Sequence, residues 1–111
     1  MPRYILLSTL TVEGRQTLHS RPEHLLEVDK ELEKMQVKVI EQYAVLGQYD
    51  FISIVEAPDN ETIAHLSVDL GSRGTVQIMT LPVIAVDRFL ATLKSTQQLG
   101  RGAPPEPQKK P

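Results

Sequence analysis

The chain has 111 residues and no cysteine, and its 12 basic and 14 acidic side chains give a formal net charge of −2. This length suits one domain with a modest core, and the missing thiols exclude disulfides, thiolate metal sites and thiol nucleophiles. Setting aside residues 95–111 leaves 9 basic and 13 acidic side chains, which argues against nucleic-acid binding, and no apolar run approaches the roughly 18 residues of a membrane span.

The first third of the chain predicts a strand, a connection and an amphipathic helix. Residues 3–10, RYILLSTL, form a short apolar run that is typical of a buried strand. Residues 11–19 are expected to form a connection with an irregular helical turn. A helix is then predicted to start at Ser20, whose hydroxyl suits the N-cap, with Pro22 in the first turn and Glu23 at N3. Its apolar side recurs at helical spacing at Leu25, Val28, Leu32 and Met35.

The middle of the chain predicts a β-hairpin followed by a second helix. Residues 36–46 alternate with period two, which predicts a strand. Gly47 can adopt the positive φ of a tight turn, and residues 51–56 form the second strand of the hairpin. Pro58 ends that strand, and Asp59 is a favoured N-cap for the next helix. One face of the first hairpin strand is predicted to hold Val37, Val39, Glu41, Tyr43 and Val45.

The last third of the chain completes the predicted fold. The second helix is expected to end at Gly71, residues 75–82 alternate as a fourth strand, and residues 86–94 predict a short terminal helix. The order β-α-β-β-α-β predicts an α+β, ferredoxin-like sandwich with a four-stranded antiparallel sheet and both long helices on one face. We expect one domain over residues 1–94, followed by a flexible tail, rich in Pro and Gly, over residues 95–111.

The other face of the predicted sheet has no helix to cover it, which predicts a homo-oligomer. Leaving a large apolar face in water is unfavourable, and packing against a second copy is the simplest way to cover it. The candidate interface residues on this face are Leu6, Tyr43, Val55, Met79 and Leu81. Ser53, Gln77 and Tyr43 are expected to share this face, where they either line a ligand pocket between subunits or make polar contacts in the interface.

Three stretches of the chain resemble the motifs of one family. They are RYILLSTLT with Gly14 after it, residues 46–50 (LGQYD) followed by FISIVEAPD, and residues 70–74 (LGSRG) followed by a strand ending in TLPVI. Over about residues 3–94 the chain resembles the GYD domain family, small bacterial and archaeal proteins named after a Gly-Tyr-Asp motif. The resemblance implies a ferredoxin-like sandwich similar to the dimeric α/β-barrel proteins, in which two sheets pack face to face. It implies no established reaction.

Tyr49 and Asp50 lie at the entry to the second hairpin strand, where two interpretations are open. As a catalytic pair, the phenol would donate to a developing oxyanion while the carboxylate oriented it or took a proton. As structural residues, Asp50 would accept N–H groups across the turn and Tyr49 would pack over the hairpin end. His19, His24 and His65 are too scattered to predict a metal site, although His65 lies beside a buried helix position.

These features favour a cytoplasmic, non-catalytic, homo-oligomeric module that binds a small metabolite or supports the assembly of a larger complex. One alternative is a cofactor-free enzyme of the dimeric barrel type acting on a small aromatic or carbonyl compound. It requires a closed, partly polar cavity of a few hundred Å³. A second alternative is an adaptor that docks through its proline-rich tail. Motifs for cofactors are absent, so we expect no cofactor. The scattered histidines, the net acidic charge and the lack of a long apolar run predict no metal, no nucleic-acid partner and no membrane partner, respectively. The ligand-binding candidates are Tyr43, Tyr49, Asp50, Ser53, His65 and Gln77.

Overall fold

The computed structural model describes residues 1–95, which form four strands and four helices. The elements are β1 (Arg3–Leu10), α1 (Val12–Ser20), α2 (His24–Lys34), β2 (Lys38–Ala44), β3 (Phe51–Glu56), α3 (Asn60–Gly71), β4 (Val76–Pro82) and α4 (Val86–Ser95). Apart from Ser95, which ends α4, the predicted tail lies outside these described residues. Within the same range, no helix is long and apolar enough to cross a membrane.

The strands form one antiparallel sheet in the order β2-β3-β1-β4, with β1 and β3 at its centre. In the register, Leu6 lies opposite Ser53 on one side and opposite Thr80 on the other. Helices α1, α2 and α3 pack on β1, β2 and β4 respectively. The predicted α+β, ferredoxin-like arrangement is therefore confirmed.

Helix α3 begins and packs as its sequence predicts. The Asp59 carboxylate accepts a hydrogen bond of 2.8 Å from the Thr62 backbone N–H, which satisfies one of the free N–H groups of the first turn. The buried residues of the helix are Ile63, Leu66 and Leu70, at helical spacing. These side chains enter the core between the sheet and the helices, so α3 is held by its apolar side as well as by its cap.

The predicted helix start at Ser20 is wrong, because residues 12–20 form a helix of their own. Thr11 caps α1 by accepting the Gly14 backbone N–H at 3.1 Å. Ser20 lies in the last turn of α1, and its hydroxyl donates to the Thr17 carbonyl oxygen at 3.2 Å. Helix α2 starts after Glu23, whose side chain makes no capping bond. The sequence did not predict α1 as a regular helix, because it contains a glycine and glycine disfavours helix interiors.

The unbroken alternation predicted for the first hairpin strand is also wrong. Val39 and Glu41 pair with two consecutive residues of β3. The residue between Val39 and Glu41 therefore has no paired residue in β3 and forms a β-bulge. Beyond the bulge, odd-numbered and even-numbered residues of β2 exchange the sides of the sheet that they face. Gln42 lies opposite Ser53 on the helix side of the sheet, whereas Tyr43 points to the other side.

Two of the five predicted interface residues belong to the core instead. Leu6 is 3% exposed and Val55 is fully buried, both on the side of the sheet that the helices cover. Ser53, expected on the uncovered face, is likewise on the helix side and 5% exposed. Strand β1 is apolar at both odd and even positions, so alternation alone did not identify its buried side. The buried hydrophobic residues are Tyr4, Leu6, Leu32, Val37, Val55, Ala57, Ile63, Leu66 and Leu70.

Candidate functional site

Asp50 joins the end of β1 to the β2–β3 loop. Its carboxylate accepts the Leu10 backbone N–H at 2.7 Å, and its own N–H donates to the Ser8 carbonyl oxygen at 2.8 Å. Its carbonyl oxygen accepts the Val45 N–H at 2.9 Å, and Arg15 of α1 lies 3.7 Å from the carboxylate. The Asp50 side chain thus extends the β1–β3 pairing beyond the last paired strand residue, which is a structural role for the aspartate of the motif.

Tyr49 points toward the side of the sheet that carries no helix. Gly47 has a φ of 108°, which makes the turn before Tyr49 possible without strain. The Tyr49 hydroxyl lies 3.8 Å from the sulfur of Met79, a half-exposed residue of β4. The tyrosine therefore extends the apolar surface of that side at one end of the sheet.

The uncovered side of the sheet, here the open face, presents seven apolar side chains. Their positions follow from the register of the strands. Each of them either lies next to a buried residue in its own strand or is paired across the sheet with a residue that faces the uncovered side. They are Ile5, Leu7, Tyr43, Ile52, Ile54, Met79 and Leu81. Every one of them is partly exposed to solvent within the single chain. The open face is thus an apolar surface spread over all four strands.

Polar groups border the open face. Arg3 and Glu56 form an ion pair of 3.2 Å, and the Tyr43 hydroxyl donates to the Glu41 carboxylate at 2.7 Å. Because Glu41 accepts this hydrogen bond, the neutral phenol is favoured and the pKa of Tyr43 is raised. Gln77, opposite Thr9 in the register, is an exposed polar residue on the same side. An apolar centre with a polar rim is the usual composition of a protein interface.

Helix α4 carries a second apolar surface. Its large apolar residues recur at helical spacing, are between 48% and 70% exposed, and none of the helix is buried. We call this set the α4 stripe, and it consists of Val86, Phe89, Leu90 and Leu93. Within residues 1–95, no part of the chain covers it. A ten-residue helix is marginal alone in water, so the stripe favours packing against another surface.

A cleft of about 120 Å³ opens between the helix side of the sheet and helices α1 and α2. Gln42 and Ser53 line it together with apolar side chains of both helices, among them Leu18, Leu25 and Val28. None of Tyr49, Asp50 and His65 lines this cleft. It is smaller than the catalytic cavity that the enzyme alternative requires, and the residues proposed for catalysis lie elsewhere.

The six ligand-binding candidates do not converge on one place. Tyr43, Tyr49 and Gln77 lie on or beside the open face, Asp50 lies at the end of β1, and Ser53 lines the cleft. The sixth candidate is exposed on α3, in an open groove that none of the other five lines. That residue is His65. Within the described part of the chain, no three His, Asp or Glu residues come together in a metal-binding arrangement.

The loop at residues 72–74 contains a cation that is already paired. The Arg73 guanidinium donates to Glu31 at 2.8 Å and to Asp69 at 3.0 Å. The hydrogen bond to Glu31, followed by the one to Asp69, raises the pKa of Arg73. The positive φ of the loop is at Gly74, at 79°, rather than at Gly71 where the helix ends. The loop thus connects α3 to β4 and its arginine ties α3 to α2.

Sequence reasoning missed the four residues at the centre of the open face and the exposure of the α4 stripe. Ile52 and Ile54 flank Ser53, so the small polar residue was easily taken for the solvent side of β3. The apolar spacing of the last helix was visible, but its lack of contact with the sheet was not. The four central residues are Ile5, Leu7, Ile52 and Ile54.

The sequence profile of the GYD domain matches residues 4–93 of the chain. A protein of Thermus thermophilus, described as "Glutamine synthetase and cystathionine beta-lyase binding protein", is 50% identical over 95 residues. That match covers 85% of this chain and the whole of the Thermus protein. The profile match includes β1, the hairpin with Tyr49 and Asp50, and the loop at residues 72–74. On this evidence the chain belongs to the GYD domain family.

Proposed function

We propose that this protein is a cytoplasmic, non-catalytic, homo-oligomeric module that binds a partner enzyme and so supports assembly of a larger complex. The observation that carries this proposal is the apolar surface exposed on the open face and on the α4 stripe, because such a surface favours protein contacts. The Thermus relative supports it, since that protein is described as binding two enzymes and is half identical to this chain over its own full length.

Self-association is assigned to the open face. Covering the exposed part of its seven apolar side chains would contribute about 0.5–1 kcal/mol per side chain, or roughly 7–14 kcal/mol for two copies. Association itself costs on the order of 4–15 kcal/mol, so the net affinity is modest and the oligomer depends on concentration. The three remaining interface candidates, Tyr43, Met79 and Leu81, lie on this face.

Enzyme binding is assigned to the α4 stripe. No residue of α4 is buried in the single chain, so the stripe is available to a partner. An amphipathic helix that lays its apolar side into a groove is a recurring mode of protein recognition. Phe89 is its largest side chain and would serve as the central anchor.

The two alternatives from the sequence have less support. The cleft lacks every residue proposed for catalysis, which leaves the enzyme alternative without an assembled site in residues 1–95. The proline-rich tail proposed as a docking segment lies outside the described residues. The Thermus protein is matched over its whole length by 85% of this chain, so its binding role does not need the remaining 15%.

The test is binding to glutamine synthetase and to cystathionine beta-lyase from the organism that encodes this chain, measured by isothermal titration calorimetry. We expect the full chain to bind at least one of them, and Phe89→Asp to weaken that binding by at least tenfold. Val68→Asp is the matched control, because Val68 is a 71% exposed valine on α3, away from both apolar surfaces. Circular dichroism of each variant checks that the fold is retained.

Two results would count against this assignment. If the full chain binds neither enzyme, the partner-enzyme role is wrong. If a chain ending at Ser95 loses all binding while Phe89→Asp retains it, the tail adaptor is correct instead of the α4 stripe.

A further inference from the structure

The cleft contains a buried hydroxyl group with an unused proton. Ser53 is 5% exposed, and its oxygen accepts a hydrogen bond of 3.2 Å from the Gln42 side-chain amide. Among residues 1–95, no group accepts the hydrogen bond that the Ser53 hydroxyl could donate. A buried donor without a partner is costly, so this hydroxyl favours an acceptor that enters the cleft.

Gln42 adds a complementary group beside that hydroxyl. Its side-chain amide also hydrogen bonds to Asp29, the carboxyl whose pKa is raised by partial burial and lowered to a smaller extent by this bond. Within the described chain, the side-chain carbonyl oxygen of Gln42 accepts no hydrogen bond. One donor, on Ser53, and one acceptor, on Gln42, thus lie next to each other on the wall of the cleft.

The rest of the cleft selects against charge. Its walls are mainly apolar, and the two basic side chains at its border are already paired with carboxylates. Arg73 donates to Glu31 and Asp69, and His24 lies 3.4 Å from Glu27. A charged ligand would lose hydration without gaining a free counter-charge, so a neutral ligand is favoured.

The volume limits the ligand to about one ring. The cleft measures about 120 Å³, and an apolar cavity of about 150 Å³ in another protein is known to take up benzene. We propose that the cleft binds a small neutral molecule, one ring or one short branched chain in size, whose single oxygen accepts from Ser53 and, where it carries a proton, donates to Gln42. This site is separate from both protein-binding surfaces, and the inference does not rest on the proposed function.

Phenol, toluene and benzoate are suitable probes, because they share one ring and differ in the polar group. Each is titrated into the full chain, and methyl NMR shifts of Leu18, Leu25 and Val28 in the cleft are compared with those of Ile52 and Ile54 on the open face. We expect phenol to shift the cleft methyl groups with a Kd of about 1 mM or lower, as a ligand of seven heavy atoms permits. Toluene should bind several-fold more weakly, and benzoate should not bind.

Ser53→Ala separates the hydrogen bond from the apolar contact. It should lower phenol affinity by about fivefold, the effect of one neutral hydrogen bond, and leave toluene affinity unchanged. Thr17→Leu places a larger side chain in the cleft from α1 and should weaken both ligands. Because Thr17 is only half-buried, this second variant keeps the test usable if Ser53→Ala fails to fold.

Three results would overturn the inference. The cleft methyl groups could remain unshifted by phenol at 10 mM, about ten times the expected Kd, which would mean that the space takes up water only. The shifts could map to the open face instead. Phenol and toluene could bind equally well and respond identically to Ser53→Ala, which would reduce the site to non-specific apolar contact.

Discussion

At the scale of single residues, the family motif provides structure. Asp50 supplies with its side chain the acceptor that β3 no longer offers to the Leu10 N–H. Gly47 supplies the positive φ of the turn, and Tyr49 places its hydroxyl beside the Met79 sulfur at the margin of the open face. Of the two interpretations of the Tyr-Asp pair, these contacts support the structural one.

Replacing Asp50 with alanine should destabilise the fold more than replacing it with asparagine. Alanine leaves the Leu10 N–H without its 2.7 Å partner, a loss of about 1–3 kcal/mol in the free energy of unfolding. Asparagine keeps an acceptor oxygen and loses only the 3.7 Å ion pair with Arg15, which is worth at most about 1 kcal/mol. Urea unfolding measures both. Equal losses for the two variants would contradict the hydrogen-bonding role.

Gly14 is required because the backbone of another segment approaches it closely. A Cβ added there would lie 2.0 Å from the Thr75 carbonyl oxygen, a backbone atom that cannot rotate away. Gly14→Ala should therefore lower the free energy of unfolding by about 2–3 kcal/mol. Gly71→Ala is the control, because a Cβ at Gly71 meets nothing within 4 Å. Similar urea midpoints for the two variants would show that this close approach is wrong.

At the scale of elements, helices and strands with a strong local sequence pattern could be predicted, and those with an interrupted pattern could not. The Asp59 cap, the apolar spacing of α3 and the alternation of β4 each predicted their element correctly. The boundary between α1 and α2 was predicted wrongly, because Ser20 and Pro22 resemble the start of a helix although Ser20 ends the preceding one. The assignment of the β2 side chains to the two sides of the sheet was wrong, because a one-residue bulge reverses the alternation. No distinctive residue in the sequence marks this bulge.

The cap of α3 should make stability depend on pH. Hydrogen bonds from the Thr62 side chain and backbone N–H hold the pKa of Asp59 below its usual value. A carboxyl with a lowered folded-state pKa contributes stability that is complete near neutral pH and is lost as the pH falls through that pKa, below about pH 4. Asp59→Asn keeps a capping oxygen but cannot ionise.

Thermal unfolding of the wild type and Asp59→Asn between pH 7 and pH 2 tests this contribution. The wild-type Tm should exceed that of the variant at pH 6, and the difference should shrink toward zero at the acid end. A Tm difference that stays constant over the whole range would show that the Asp59 charge contributes nothing to stability.

At the scale of the whole molecule, topology was easier to predict than orientation. The order of strands and helices restricts the chain to few arrangements, and the ferredoxin-like one is confirmed. Which side of β1 is buried depends on tertiary packing, since both sides are apolar. The uncovered apolar face was therefore anticipated as a feature, while Leu6 and Val55 were assigned to the wrong side of it. Tyr43, Met79 and Leu81 lie on the open face and remain predicted interface residues.

Sedimentation velocity over a concentration series tests most directly whether copies of this chain cover the open face. We predict that the wild type sediments as a multiple of the 12.4 kDa chain at about 100 µM and dissociates on dilution, because the net affinity is modest. Ile54→Asp, at the centre of the open face, should sediment as a single folded chain, while Val68→Asp should behave like the wild type. A wild type that remains a 12.4 kDa monomer at about 100 µM, or an Ile54→Asp variant that associates as strongly as the wild type, would contradict the account.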